Sequence, residues 1–239
     1  MIILAFDSTA KTASVAVCDG ERMLGSYNID NGLTHSELLL PMAENLLKTL
    51  KLGFDDVELF ACTVGPGSFT GVRIGTALVK GLAFGKERPA VEVSTLEALA
   101  ENLSPLCGII VPVMDARRGQ VYTAVFESDG GDCKRVTEDM AISCEELASL
   151  LSKYSESAIY LVGDGYNTAY EKLTELGVKL SGTPSLLKNQ NAYSCAQVAI
   201  NKYAAGKYTT DLDLKPTYLR MPQAERERLE RENKKEEFK

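Results

Sequence analysis

The chain opens the same pattern twice. An apolar run from Ile2 to Phe6 ends in an acid, Asp7, and a second run from Gly108 to Met114 ends in Asp115, 108 positions later. Eight residues past each acid stands a further triplet, Val15-Ala16-Val17 and Thr123-Ala124-Val125. Asp-Gly pairs of the kind that close β-hairpins come next, Asp19-Gly20 and Asp129-Gly130, the second displaced by two residues. Short apolar strands resemble one another, so one coincidence carries little. Acid, spacing and hairpin together predict an α/β chain of two lobes, each built on a duplicated β-β-β-α-β-α plan.

Between the copies lies Gly65-Pro66-Gly67-Ser68-Phe69-Thr70-Gly71-Val72-Arg73-Ile74-Gly75, after a strand-like run from Leu59 to Val64 and before a small-residue helix from Val72 to Phe84. Glycines at a strand-to-helix turn admit a phosphate or a second piece of backbone where a Cβ would stand. Two familiar phosphate motifs fail here. A Walker loop needs Lys-Ser/Thr after its last glycine, where this chain has Val72-Arg73, and the dinucleotide fingerprint needs glycine where Thr70 stands.

No apolar run is long enough to span a bilayer, and the N-terminus has no basic leader, so the expectation is a cytoplasmic protein without a membrane. Six scattered cysteines read as small buried hydrophobes of a reducing compartment. The formal charge of −7 makes the chain a poor RNA binder by itself, because non-specific affinity for nucleic acid is electrostatic. The last stretch, 223–239, balances six acids against six bases and reads as a solvated, frayed helix.

Two helices stand out. The first is expected near Thr34, where Thr34-His35-Ser36-Glu37 fits a capping box, with Leu39, Met42, Ala43, Leu46, Leu47 and Leu50 as its stripe. Pro41 inside it should kink the helix or mark its true start. The second carries Gly71, Gly75, Gly81 and Gly85; each interior glycine costs about 1 kcal/mol against alanine, which close approach to another helix offsets.

The N-terminal strand with Asp7-Ser8-Thr9 resembles the first phosphate loop of the actin, Hsp70 and sugar-kinase fold, a ribonuclease H-like architecture. More narrowly, four segments resemble the bacterial TsaB (YeaZ) family of tRNA threonylcarbamoyladenosine biosynthesis proteins: Ile3 to Thr9, His35 to Pro41, Gly65 to Gly75, and Pro216-Thr217-Tyr218-Leu219-Arg220. Met114 to Tyr122 fits the same family's second-lobe opening. The resemblance implies an N-terminal lobe over 1–107, a smaller C-terminal lobe over 108–222, and no account of the tail at 223–239. It also implies a non-catalytic scaffold or activator that pairs with a TsaD-type transferase subunit, alongside a TsaE-type ATPase, and meets tRNA only through that complex. Self-association into a homodimer in the absence of the partner is compatible with the sequence.

Catalysis finds little support. Relatives that bind a metal use two histidines on one helix, and His35 is the only histidine here, so no metal site and no catalytic residue are expected. A serine triad would need His35, which sits in a helix-start box. Asp7, Ser8 and Thr9 occupy the nucleotide position of the fold, which leaves a stand-alone ATPase or small-molecule kinase as the rival reading. No cofactor is expected to be required, with weak nucleotide binding at a subunit boundary left open. The partner-binding set expected from the two helices is His35, Leu38, Leu39, Met42, Leu46, Gly71, Arg73, Gly75, Leu78 and Gly81, with Arg73 on its polar rim. A leucine-sized residue at Gly75 or Gly81 is then expected to abolish pairing and leave the chain folded.

Overall fold

The computed structural model describes residues 1–85 and 88–220; the charged tail predicted over 223–239 lies outside the described residues. The first lobe comprises β1 (Ile2–Asp7), β2 (Ala13–Asp19), β3 (Arg22–Ile29), α1 (His35–Thr49), β4 (Leu59–Thr63), α2 (Phe69–Ala83), β5 (Ala90–Val93) and α3 (Thr95–Glu101). The second comprises β6 (Gly108–Asp115), β7 (Gln120–Thr123), β8 (Phe126–Ser128), β9 (Cys133–Arg135), β10 (Met140–Ser143), α4 (Cys144–Leu151), β11 (Ile159–Val162) and α5 (Tyr166–Glu175). A last helix, α6 (Ala192–Ala204), completes the order.

The first sheet has the order β3-β2-β1-β4-β5. Hairpins make β1, β2 and β3 antiparallel, whereas β1, β4 and β5 run parallel, and α1 and α2 supply the crossovers that parallel neighbours require. Because helices cover both faces, β1 is apolar without alternation. Its Leu4 and Phe6 meet Leu39, Met42, Leu46 and Val79 of α1 and α2. Its Ile3 and Ala5 meet Ala192, Ala196 and Ala199 of α6, where small residues on both sides let helix and sheet approach closely.

The second lobe repeats this plan with its strands cut. β7 and β8 both pair antiparallel with β6 in one continuous register, Val113 opposite Thr123 and Ile110 opposite Phe126. They are one strand interrupted opposite Pro112, which has no N–H to give to the ladder. The third strand is cut at the same level: β9 pairs β8 and β10 pairs β7 with a register shift of two residues between them. β11 then lies parallel to β6 as β4 does to β1. The result is the two-lobed α/β fold expected from the duplication.

Four expectations need correction. The second lobe is expected over 108–222, but α6 packs on the first lobe's sheet. Beyond it, Thr209 bridges Ala90, Leu214 is buried in the α1–α2 core, and the Thr217 amide donates to the Val64 carbonyl. The chain thus returns to the first lobe near residue 190. The Thr34 hydroxyl does not cap α1; it donates to the Glu37 carboxylate at 2.8 Å instead of accepting a backbone amide. Pro41 does not mark the start of the helix, since α1 begins at His35 and runs through Pro41 on its solvent side. Of six free cysteines, Cys107 is exposed and Cys133 half-buried, so burial does not describe them all.

Candidate functional site

The loop after β1 carries the residues predicted to hold nucleotide. Asp7, Ser8 and Thr9 are 1%, 1% and 0% exposed. The Thr9 amide and hydroxyl both donate to Asp7 Oδ1, at 2.9 and 2.7 Å. The Ser8 hydroxyl donates to the Gly71 carbonyl at 2.8 Å, and the Ser68 amide to the Thr9 carbonyl at 2.7 Å. Burial pushes the Asp7 carboxyl above its ordinary range, and the two bonds from Thr9 only partly oppose it. The Thr63 hydroxyl lies near enough to ease the charge but outside hydrogen-bond geometry, so among the described residues Asp7 Oδ2 and Thr63 Oγ1 are both without a partner.

These donors do not fit a nucleotide phosphate. A phosphate needs open amides and hydroxyls, and the Ser8 hydroxyl and both Thr9 donors are engaged within the chain. A hydrated magnesium ion needs an accessible acid, and Asp7 is 1% exposed. The hydroxyls expected to meet nucleotide at Ser8 and Thr9 thus serve as internal structure of the loop.

The loop is filled by α2. A Cβ added at Gly71 would overlap the Ser8 carbonyl oxygen, and one added at Gly75 would stand 2.6 Å from Ser8 Oγ. The missing side chains serve a contact between helix and loop inside the chain, not the helix–helix approach expected from their spacing. A leucine at Gly75 would strike the chain's own core, which corrects the expectation of a folded, unpaired variant. Gly81 is different: it is exposed, and a Cβ there meets nothing within 4 Å.

The remaining members of the predicted partner set divide by burial. Leu39, Met42 and Leu46 are 1%, 5% and 4% exposed and belong to the first lobe's own core, so they offer no surface. Leu38 and Leu78 are half-buried on the outer side of the same core, beside Ile74. Leu40 and Leu33 are exposed at 37% and 55%. His35 is half-buried and donates from Nε2 to the Ala10 carbonyl at 2.7 Å. Leu38, Ile74 and Leu78 thus edge that core, and Ile74, Leu78 and Gly81 share one face of α2 by their spacing.

Arg73 is exposed yet held. Its guanidinium lies 4.4 Å from the centre of the Phe69 ring, and its Nε donates to the Tyr218 hydroxyl at 2.8 Å. Tyr218 stacks on Phe69 at 4.1 Å. Two residues on, Arg220 donates to the Ala116 carbonyl of the second lobe at 3.1 Å. The segment 216–220 therefore straps the start of α2 to the second lobe. Sequence reading singles out this segment without giving it a role; an aromatic and an arginine on an otherwise irregular, polar stretch are the available signal.

The second lobe's acid is open. Asp115 is exposed and accepts the Arg117 amide at 2.7 Å. The turn Gly163-Asp164-Gly165 sits on the end of β6, where a Cβ at Gly165 would lie 3.0 Å from the Val113 carbonyl oxygen. Asp164 keeps an exposed edge, yet its carboxyl is pushed up to about 6, first by desolvation and then by the nearby Asp115.

Comparison with known proteins agrees with this geometry. Residues 32–228 match the family profile of TsaD, tRNA N6-adenosine threonylcarbamoyltransferase. The TsaB protein of Bacillus subtilis is 29% identical over 96% of this chain and 99% of its own length. That of Escherichia coli is 31% identical over 92% of this chain and 95% of its own. The solved structure of YeaZ from Pseudomonas aeruginosa superposes with a TM-score of 0.76 at 26% identity, covering 91% of this chain and 99% of that one. With a family-wide match to most of its length, a full-length likeness to these relatives, and the same two-lobed architecture, the chain belongs to the TsaB (YeaZ) family of tRNA threonylcarbamoyladenosine biosynthesis proteins.

Proposed function

We propose that this chain is the non-catalytic scaffold subunit in threonylcarbamoylation of the adenosine beside the anticodon of tRNAs, acting by pairing with a TsaD-type transferase. The observation that carries the reading is the outer face of α1 and α2. Leu38, Ile74 and Leu78 are half-buried there, and the exposed Gly81 shares the Ile74–Leu78 face of α2. An apolar helix pair with a side-chain-free position suits a matching pair from a homologous subunit, and two such pairs make a four-helix contact. The match to the TsaD profile supports a homologous partner. The occupied Asp7–Thr9 loop argues against the stand-alone ATPase reading.

In this reading the chain uses no cofactor of its own, meets tRNA and a TsaE-type ATPase only in the assembled complex, and works in the cytoplasm. Activation results if pairing favours the competent conformation of the transferase over its idle one. The test is light scattering on a sizing column with this chain, the TsaD-type paralogue of the same cell, and their mixture, and then modification of unmodified tRNA. A one-to-one complex with activity absent from either subunit alone is expected. Two unchanged elution peaks would end the scaffold reading.

A further inference from the structure

We infer that the Asp7–Ala10 loop, at the place where the kinase-like fold holds phosphate, is the mount that fixes α1 and α2 relative to each other, with Ser8 and His35 as its positioning residues. The inference rests on the pairing reading and adds what sets the geometry of the paired face.

Both helices are tied at their first turns to four consecutive residues. α2 is held by Ser8 Oγ donating to the Gly71 carbonyl at 2.8 Å and by the Ser68 amide donating to Thr9 at 2.7 Å. It lies so close that neither Gly71 nor Gly75 has room for a Cβ. α1 is held by His35 Nε2 donating to the Ala10 carbonyl at 2.7 Å. That bond carries weight because Thr34 gives α1 no side-chain cap. The loop is itself fixed by Asp7 Oδ1, which takes two hydrogen bonds from Thr9. A partner that covers both helices senses their separation, and close-packed interiors pass a displacement on without absorbing it.

The geometry allows a compensation test. A methyl group at position 75 would stand 2.6 Å from Ser8 Oγ but 3.9 Å from Ser8 Cβ, an ordinary contact. Gly75→Ala should therefore force Ser8 aside and tilt α2, and Ser8→Ala should remove the obstacle. The dissociation constant of the full-length chain with the TsaD-type paralogue is measured by titration calorimetry, with a circular-dichroism melt of each variant. Gly75→Ala is expected to weaken pairing by about tenfold, a difference that corresponds to roughly 1.4 kcal/mol. Ser8→Ala, which loses the bond to Gly71 but leaves α2 unobstructed, is expected to weaken pairing only a few-fold, and the double variant Ser8→Ala/Gly75→Ala to bind as it does, better than Gly75→Ala.

Recovery of this kind separates positioning from simple destabilisation, since two damaging changes would otherwise add. His35→Ala, which frees only α1, is expected to weaken pairing several-fold and decides the matter if Gly75→Ala does not fold. Wild-type affinity in Gly75→Ala or in a folded His35→Ala, or no recovery in the double variant, overturns the inference. A wild-type chain that forms no complex instead removes the pairing reading on which it rests.

Discussion

The loops after β1 and β6 are the same turn put to different uses. In each, an acid at the strand end accepts the amide two residues on: Thr9 to Asp7 at 2.9 Å and Arg117 to Asp115 at 2.7 Å. There the likeness ends. The first loop is buried beneath α2, while the second is exposed and presents Arg117 and Arg118 with left-handed φ of 61° and 55°. Left-handed backbone is uncommon for residues other than glycine. The difference lies in the element placed after β4 in one lobe and after β11 in the other. In the first, a helix with glycines in its opening turns lies directly on the loop. In the second, a glycine turn touches the strand end and α5 starts beyond it. Duplication thus preserved the backbone turn, and the neighbouring element decided whether its polar groups face solvent or each other.

The contrast predicts unequal costs for one substitution made in both lobes. Gly71→Ala drives a methyl into the Ser8 carbonyl oxygen, which is backbone and has nowhere to go. A loss of about 3 kcal/mol is expected, at the upper end for overpacking. Gly165→Ala places its methyl 3.0 Å from Val113 O and 3.2 Å from the Asp115 amide, a contact a small shift relieves, so about 1 kcal/mol is expected. Denaturant melts of both variants test this, and equal losses would mean that the two loops are packed alike.

Asp7 supplies a pH-dependent difference. Its folded pKa lies above the ordinary 3.8 because burial disfavours the charge. The folded chain then binds the proton more tightly than the unfolded one. Stability from this group is complete below about pH 3.8 and is lost as pH rises through the folded value. Asp7→Asn keeps an oxygen for both Thr9 donors and offers an amide to Thr63. Relative to wild type, the variant is expected to gain stability steadily from about pH 4 upwards until Asp7 is ionised in the folded state. A stability difference that does not change with pH would show that Asp7 carries its charge at no cost.

Much of this is legible in the sequence, and the failures have physical causes. Apolar strands ending in Asp7 and Asp115, with hairpin turns after them, reveal the two lobes because strand burial and turn chemistry are local. The glycines of α2 require a close neighbour, but spacing cannot say which one; the neighbour is Ser8, 63 residues before Gly71. Leu39, Met42 and Leu46 read as partner-facing because a helical stripe looks the same whether it meets the chain's own sheet or another subunit. The return of α6 to the first lobe is hidden for the same reason, since its alanine face suits either sheet.

The helices α1 and α4 occupy matching places after the third strand of each lobe, and their starts differ. Ser143 accepts the Glu146 amide at 3.1 Å while Glu146 accepts the Ser143 amide at 2.8 Å, a complete capping box. Thr34 makes no such bond. Ser143→Ala is expected to cost about 1 kcal/mol and Thr34→Ala only a few tenths, the usual spread between a working cap and an idle one. Thermal melts of the two variants decide it, and a Thr34 loss as large as that of Ser143 would place a cap where none is seen.

Gly81 gives the smallest effect and the sharpest contrast with Gly71, ten residues earlier on the same helix. Among the described residues, Gly81→Ala meets no atom within 4 Å, and it gains helix propensity. The isolated chain should become more stable by up to about 1 kcal/mol. Nothing among the described residues then explains a glycine at this exposed helical position. If a partner helix approaches there, the same methyl group should weaken pairing while it strengthens the fold, and a leucine should weaken it further. Melting temperature and partner affinity moving in opposite directions would mark Gly81 as part of the contact. A rise in both would confine the contact to α1 and the first turns of α2, nearer the loop that holds them.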